Sequence, residues 1–172
     1  MTAPPAGGDA PPSLATSPEV RREAYTMALY VALCLLAALA AVAERAEAGH
    51  VDVLKLIWGT TVGLALAHWF AFRVSARLVA AGAIRRHDAA SAAAQLAGAS
   101  AVAVLGTVPV LVLPATAELD VARLLLAGFV ALVGYAVARS GGAGTARSAV
   151  YAGTVLALAL TIAIVKNALS GH

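Results

Sequence analysis

Two strongly polar side chains lie inside long apolar runs of this sequence. Gln95 lies in "SAAAQLAGAS" and His68 lies in "GLALAHWFAFR". An amide can bind a solute or hydrogen-bond a neighbouring helix, and an imidazole ring can change its charge in the physiological pH range. Thr61 lies in the same apolar run as His68, and its hydroxyl can donate a hydrogen bond to a backbone carbonyl one helical turn earlier in the chain. These three residues are the candidate polar sites within apolar surroundings.

A second candidate cluster lies in the polar segment "ERAEAGHVD". Glu47 and His50 have the i, i+3 spacing of carboxylate-bridged di-iron bundles. That chemistry needs two such pairs and two further carboxylates in one core, and one pair is present. We therefore interpret the segment as a solvated polar loop, with a weak divalent-cation site as the alternative. No metal or other cofactor is expected.

The chain contains none of the common catalytic motifs. G-x-S-x-G, H-E-x-x-H, the P-loop and the glycine-rich dinucleotide turn are all missing from the sequence. "GGAG" at 141–144 lies between two apolar runs and lacks the preceding strand that a phosphate loop needs, so it indicates a flexible connection. A non-enzymatic protein is therefore expected.

The composition indicates that lipid surrounds most of the chain. Of the 172 residues, 61% are hydrophobic and 12% are charged, whereas about 25% are charged in an ordinary soluble domain. The mean hydropathy is +0.86 and the pI is near 9.4. The few basic residues lie beside apolar runs, where membrane topology explains them, so nucleic-acid binding is not expected.

Five apolar runs are each close to the roughly 20 residues that a membrane-spanning helix needs. The sequence thus predicts an all-α, polytopic membrane helix bundle with five transmembrane helices. Residues 18–172 form the membrane domain, and residues 1–17, rich in Pro, Gly and Ala, are predicted to be a disordered cytoplasmic tail. The predicted spans are 24–43, 53–72, 89–113, 121–138 and 146–165, of which the fourth is the shortest.

The first run has an alternative interpretation. Arg21 and Arg22, the apolar run and "AVA" at 41–43 resemble a signal peptide with its cleavage site, which would leave four spans. The run is longer than the usual apolar stretch of about 7–15 residues in a signal peptide, so five spans are favoured.

The distribution of Lys and Arg predicts the orientation. Eight of the Lys and Arg residues lie on one side of the predicted bundle and four on the other. In membrane proteins, the side with more Lys and Arg is the cytoplasmic side. The sequence therefore predicts a cell (inner) membrane protein with a cytoplasmic N-terminus and an extracytoplasmic C-terminus. The eight are Arg21, Arg22, Arg73, Arg77, Arg85, Arg86, Arg139 and Arg147. Anionic lipid headgroups are the expected partners of the Arg73–Arg86 loop, at about 1 kcal/mol per residue.

Small residues recur at helical spacing and predict packing faces. In lipid, close contact at small residues contributes much of the attraction between helices. Gly59, Gly63 and Ala67 form such a stripe in the second run, and Gly134 and Gly153 belong to stripes in the fourth and fifth. The third run carries a more polar stripe, formed by Ser91, Gln95, Gly98, Val102, Gly106 and Pro109. The stripes predict a tight bundle and could also serve a homo-oligomer.

Two functions fit these observations. The first is a structural, accessory or partner-binding component of a bacterial inner membrane. The second is a small transporter or channel, either monomeric or oligomeric, with a polar site near Gln95. His68 lies about one turn from Arg73 and beside Trp69, which predicts an interfacial position, with pH sensing or gating as the alternative.

Overall fold

A computed structural model describes residues 18–43, 49–80 and 86–169 of the chain, and the side chains of most of them. These residues form five α-helices. Their bounds are α1 (Pro18–Ala43), α2 (His50–Ala80), α3 (Arg86–Val112), α4 (Glu118–Ser140) and α5 (Thr145–Leu169). The predicted tail at 1–17 and the candidate ligand Glu47 lie outside the described residues.

The predicted fold class is confirmed. All five helices are long and apolar enough to cross a membrane, so the chain is a multi-pass membrane protein. Most helices extend beyond the apolar runs, because backbone hydrogen bonding continues through the polar residues at the run ends. The fourth helix, predicted as the shortest span, covers Glu118–Ser140 and is 23 residues long.

Contacts between helices show that successive helices run in opposite directions. Glu23 near the start of α1 contacts Gln95 in the first part of α3, and His50 at the start of α2 contacts Glu118 at the start of α4. Arg123 near the start of α4 contacts Leu39 near the end of α1, and Gly134 in the second half of α4 faces Ala152 in the first half of α5, so one end of the bundle holds the starts of α1, α3 and α5. We call it the arginine end; the arginines there with described side chains are Arg21, Arg22, Arg73, Arg139 and Arg147. The other, with Asp52, Glu118 and Asp120, is the acidic end.

Helix α1 is the centre of the bundle. It packs against each of the other four helices, whereas the described part of α2 packs along α1 and α3 and meets α4 at the His50–Glu118 contact. The side chains of Val31, Leu35 and Leu39 on α1 are fully buried. The five-helix arrangement thus depends on the helix that the signal-peptide alternative would remove.

Helices α1 and α3 approach each other closely at Gly98. A Cβ atom at this position would collide with the backbone carbonyl oxygen of Ala24. Glycine is therefore the residue that lets the two backbones approach. The stripe predicted on α3 faces the interior, since Ser91, Gln95, Gly106 and Pro109 are buried.

Gly134 lies at the contact between α4 and α5. A Cβ atom there would lie 3.3 Å from Cβ of Val155 and 3.4 Å from Cα of Ala152. This is a close helix contact at a position where the sequence predicts one.

The stripes of α2 and α5 do not pack within the chain, which corrects the prediction of a tight bundle at these positions. Gly59, Gly63, Ala67 and Gly153 are exposed, and a Cβ atom at any of these glycines would meet nothing within 4 Å. The physical reason is that α2 uses another face, which carries larger side chains. That face is formed by Val53, Ile57 and Thr61, all of which are buried.

Candidate functional site

A hydrogen bond between α1 and α3 forms the core of the candidate site. Gln95 Nε2 donates to Glu23 Oε2 over 2.8 Å. Gln95 is only 9% exposed, and a buried amide needs a hydrogen-bond partner. A carboxylate is a strong acceptor for it. Gln95 thus bonds a neighbouring helix, one of the two roles that the sequence allows.

The second carboxylate oxygen of Glu23 is much less engaged. Arg22 Nη2 lies 4.0 Å from Oε1, at the outer limit of an ion pair, and the Arg22 side chain is 76% exposed. An exposed pair at this distance contributes little free energy. Glu23 therefore presents an accessible oxygen, while Gln95 holds the other.

An apolar cavity of about 410 Å³ adjoins this pair between α1, α2 and α3. Its lining residues are Met27, Ala65, Leu66, His68, Trp69, Phe72, Ala92, Ala93, Gln95 and Leu96. The cavity opens to the outside of the bundle, because Leu66 is 60% exposed and Trp69 is 51% exposed. A membrane-dissolved molecule could therefore enter it sideways.

A smaller cavity, of about 240 Å³, adds the polar groups. Glu23, Thr26 and Tyr30 of α1 line it, and it shares Met27, His68 and Gln95 with the larger cavity. The two cavities together place a carboxylate, an amide, an imidazole and a phenol beside one apolar space. We call the two cavities and their lining residues the α1–α2–α3 site.

The site lies close to the arginine end, with Glu23 at the edge of the first apolar run and Gln95 inside the third. Glu23 follows the start of its candidate span at Pro18 by five residues, and Gln95 follows Ala89 by six. At 1.5 Å per residue, these groups lie about 8–9 Å along the helices from that end. Polar groups at such a depth in a membrane protein are functional candidates by default.

His68 is exposed and lines both cavities. The guanidinium carbon of Arg73 lies 5.2 Å from the centroid of the Trp69 ring, a cation–π contact one turn further along α2. An aromatic residue paired with arginine is typical of the membrane interface. His68 therefore has both the interfacial surroundings that the sequence predicts and a place on the wall of the site.

Thr61 does not belong to this site. Its hydroxyl donates to the backbone carbonyl of Ile57 over 2.8 Å, and the residue is 3% exposed. Its hydrogen bond is thus satisfied within α2, as the sequence allowed. Thr61 lines neither cavity.

The acidic end contains a separate pair, His50 and Glu118. His50 Nδ1 contacts Glu118 Oε2, and the Glu118 side chain is 1% exposed. Glu118 is the first residue of α4, where a carboxylate is favoured by the helix dipole. The structure places Glu118 against His50, whereas Glu47, which the sequence paired with His50, lies outside the described residues.

Arg123 ties α4 to the end of α1. Its Nη2 donates to the carbonyl oxygen of Leu39 over 2.6 Å, and its Nη1 to Asp120 Oδ1 over 3.3 Å. This arginine bonds a carbonyl in the last two turns of α1 and so joins the start of α4 to the end of α1. Within the described residues, no three His, Cys, Asp or Glu side chains are grouped to hold a metal ion. The polar contacts at the acidic end therefore join helix ends.

No protein-family model, curated protein or solved structure matches this chain. The α1–α2–α3 site must therefore be interpreted from its own chemistry. A mostly apolar cavity with a few convergent polar groups is typical of sites for small molecules.

Proposed function

We propose that this protein binds a small amphiphilic molecule in the α1–α2–α3 site, without enzymatic activity, as a small carrier or transporter does. One observation carries the proposal. Gln95, which hydrogen-bonds Glu23, lies on the wall of an apolar cavity of about 410 Å³, and Glu23 lines the neighbouring cavity of about 240 Å³. Ligand sites in proteins have volumes of about 300–1,000 Å³, so the space suits a small molecule.

The site offers complementary surfaces to the two parts of an amphiphile. Leu66, Trp69, Phe72 and Leu96 provide the apolar wall against which a hydrocarbon chain can pack. The polar groups at the smaller cavity provide hydrogen-bond partners for a headgroup. Because Leu66 and Trp69 are exposed on the outside of the bundle, the ligand reaches the site from the lipid phase.

A second candidate is the accessory or partner-binding role, favoured by the outer face of α2. Gly59, Gly63 and Ala67 are exposed there, and small residues permit another membrane helix to approach closely. The partner would be another membrane protein or a second copy of the chain. The two roles differ in one assay. In a carrier, Gln95→Leu abolishes solute flux in proteoliposomes. In an accessory protein, the same substitution changes only the thermal stability.

We further propose that the arginine end faces the cytoplasm of the cell and that the membrane is the inner membrane. The excess of arginine at this end supports the orientation. It would bring the Arg73–Arg86 loop close to anionic lipids of the cytoplasmic leaflet. Reporter fusions test this directly. A fusion after residue 82 should be active in the cytoplasm and a fusion after residue 172 outside it, and the reverse pattern would refute the orientation.

Photolabelling tests the binding function. The protein is placed in lipid nanodiscs with three decyl probes that each carry a diazirine. The headgroups of the probes are an ammonium, an alcohol and a phosphate. We expect at least one probe to label the peptides around Met27, Trp69 and Leu96, and unlabelled compound to compete. If every probe labels exposed residues elsewhere, such as Leu124 and Leu158, as strongly as the α1–α2–α3 site, the proposal is wrong.

A further inference from the structure

We propose that the ligand of the α1–α2–α3 site carries a positively charged amine or quaternary ammonium head, which Glu23 binds. This inference rests on the proposed binding function and specifies its ligand class. Among the described residues that line the two cavities, Glu23 is the one with a formal charge when histidine is neutral. The charge of the site is therefore negative.

The hydrogen bond from Gln95 prepares Glu23 for this role. It occupies Oε2 and holds the carboxylate in one orientation, which leaves Oε1 accessible beside the smaller cavity. Among the side chains that the structure describes, the cation paired with Oε1 is Arg22, 4.0 Å away and 76% exposed. A ligand cation can approach more closely than this, and a charge pair is stronger in apolar surroundings than in water.

Aromatic rings complete the match to a cation. Trp69 and Phe72 line the larger cavity and Tyr30 the smaller one. Aromatic faces attract ammonium groups, and quaternary ammonium compounds are commonly recognised in this way. An anionic head would instead be repelled by Glu23 and would be drawn to Arg22 and Arg73, outside the lining of both cavities.

The test compares three unlabelled decyl compounds as competitors of whichever photoreactive probe labels the site. Decyltrimethylammonium, decanol and decyl phosphate share the chain and differ in charge. In the wild type, we expect the ammonium compound to displace the probe at the lowest concentration. Glu23→Gln keeps an acceptor for Gln95 and removes the charge, so it should raise that concentration about tenfold or more, equivalent to about 1.4 kcal/mol.

Asp120→Asn is the matched control, because it removes a carboxylate that is 82% exposed at the opposite end of the bundle. It should leave all three displacement curves unchanged, and melting temperatures verify that each variant is folded. Equal displacement by all three compounds would mean that the cavity holds only a hydrocarbon chain and would overturn the inference. Preference for decyl phosphate, or an unchanged curve in Glu23→Gln, would also overturn it. If no probe labels the site at all, the binding function itself fails.

Discussion

Replacing Gly98 with alanine should lower the melting temperature of the protein. The new Cβ atom would collide with the carbonyl oxygen of Ala24, so α1 and α3 would have to move apart. Overpacking of this kind typically costs about 1–3 kcal/mol. Alanine is favoured over glycine inside a helix by about 1 kcal/mol, which offsets only part of the cost. The net effect is large because α1 contacts every other helix.

Thermal unfolding of the detergent-solubilised protein measures this effect. Gly63→Ala and Gly153→Ala are the matched controls, since a Cβ atom at either position meets nothing within 4 Å. These two variants should melt at the wild-type temperature or above it, because only the helix preference changes. A Gly98→Ala protein that melts as high as the two controls would show that α1 and α3 do not pack as closely as described.

The fold was predictable because lipid leaves few alternatives. A backbone in the hydrocarbon region must satisfy its own hydrogen bonds, and continuous apolar runs of this length do so only as helices. The interior face of α3 was also predictable, since Ser91 and Gln95 mark it with polar groups that seek partners inside the bundle. On α3 the polar residues mark the packed face, whereas the small residues Gly59 and Gly63 of α2 are exposed.

The packed face of α2 was not predictable from its glycines. In a soluble helix, polarity separates the exposed face from the buried one, but both faces of α2 are apolar. The glycines permit close packing without requiring it, and the stripe at Gly59 and Gly63 remains exposed. The choice of Val53 and Ile57 for the interior depends on the shape of α1 and α3, which the sequence of α2 does not contain.

The candidate site was predictable only in part. Gln95 and His68 stood out in the sequence as single polar residues within apolar runs. Their shared site forms only where α2 and α3 pack against α1, and the sequence does not show this packing. Glu23 was missed because it precedes the first apolar run by one residue and was assigned to the polar start of the helix. The signal was its position along the helix: counted from the starts of the candidate spans at Pro18 and Ala89, Glu23 and Gln95 lie five and six residues in. Five alternating spans place Glu118 and His50 at the same end of the bundle, but their direct contact depends on how α2 and α4 meet.

Filling the larger cavity should abolish ligand binding, which is the largest functional effect that we expect. Ala93 lines this cavity and is exposed, so a larger side chain can be placed there without entering the core of the bundle. In Ala93→Trp, the indole ring would occupy the space into which the ligand chain fits. Affinity should fall at least tenfold, equivalent to about 1.4 kcal/mol, whatever the charge of the ligand head.

Ala101→Trp provides the matched control. Ala101 is exposed on the same helix, two turns further along, and lines neither cavity. The substitution is identical in chemistry and differs only in its position. Its protein should therefore bind as the wild type does, and equal melting temperatures of the two variants would exclude a difference in folding.

The most direct measurement is saturable photolabelling of the wild type, Ala93→Trp and Ala101→Trp in nanodiscs, with the decyl probe that labels the wild type most strongly. We predict saturable labelling around Met27, Trp69 and Leu96 in the wild type and Ala101→Trp, and its loss in Ala93→Trp. Equal labelling in all three proteins would contradict a ligand site between α1, α2 and α3.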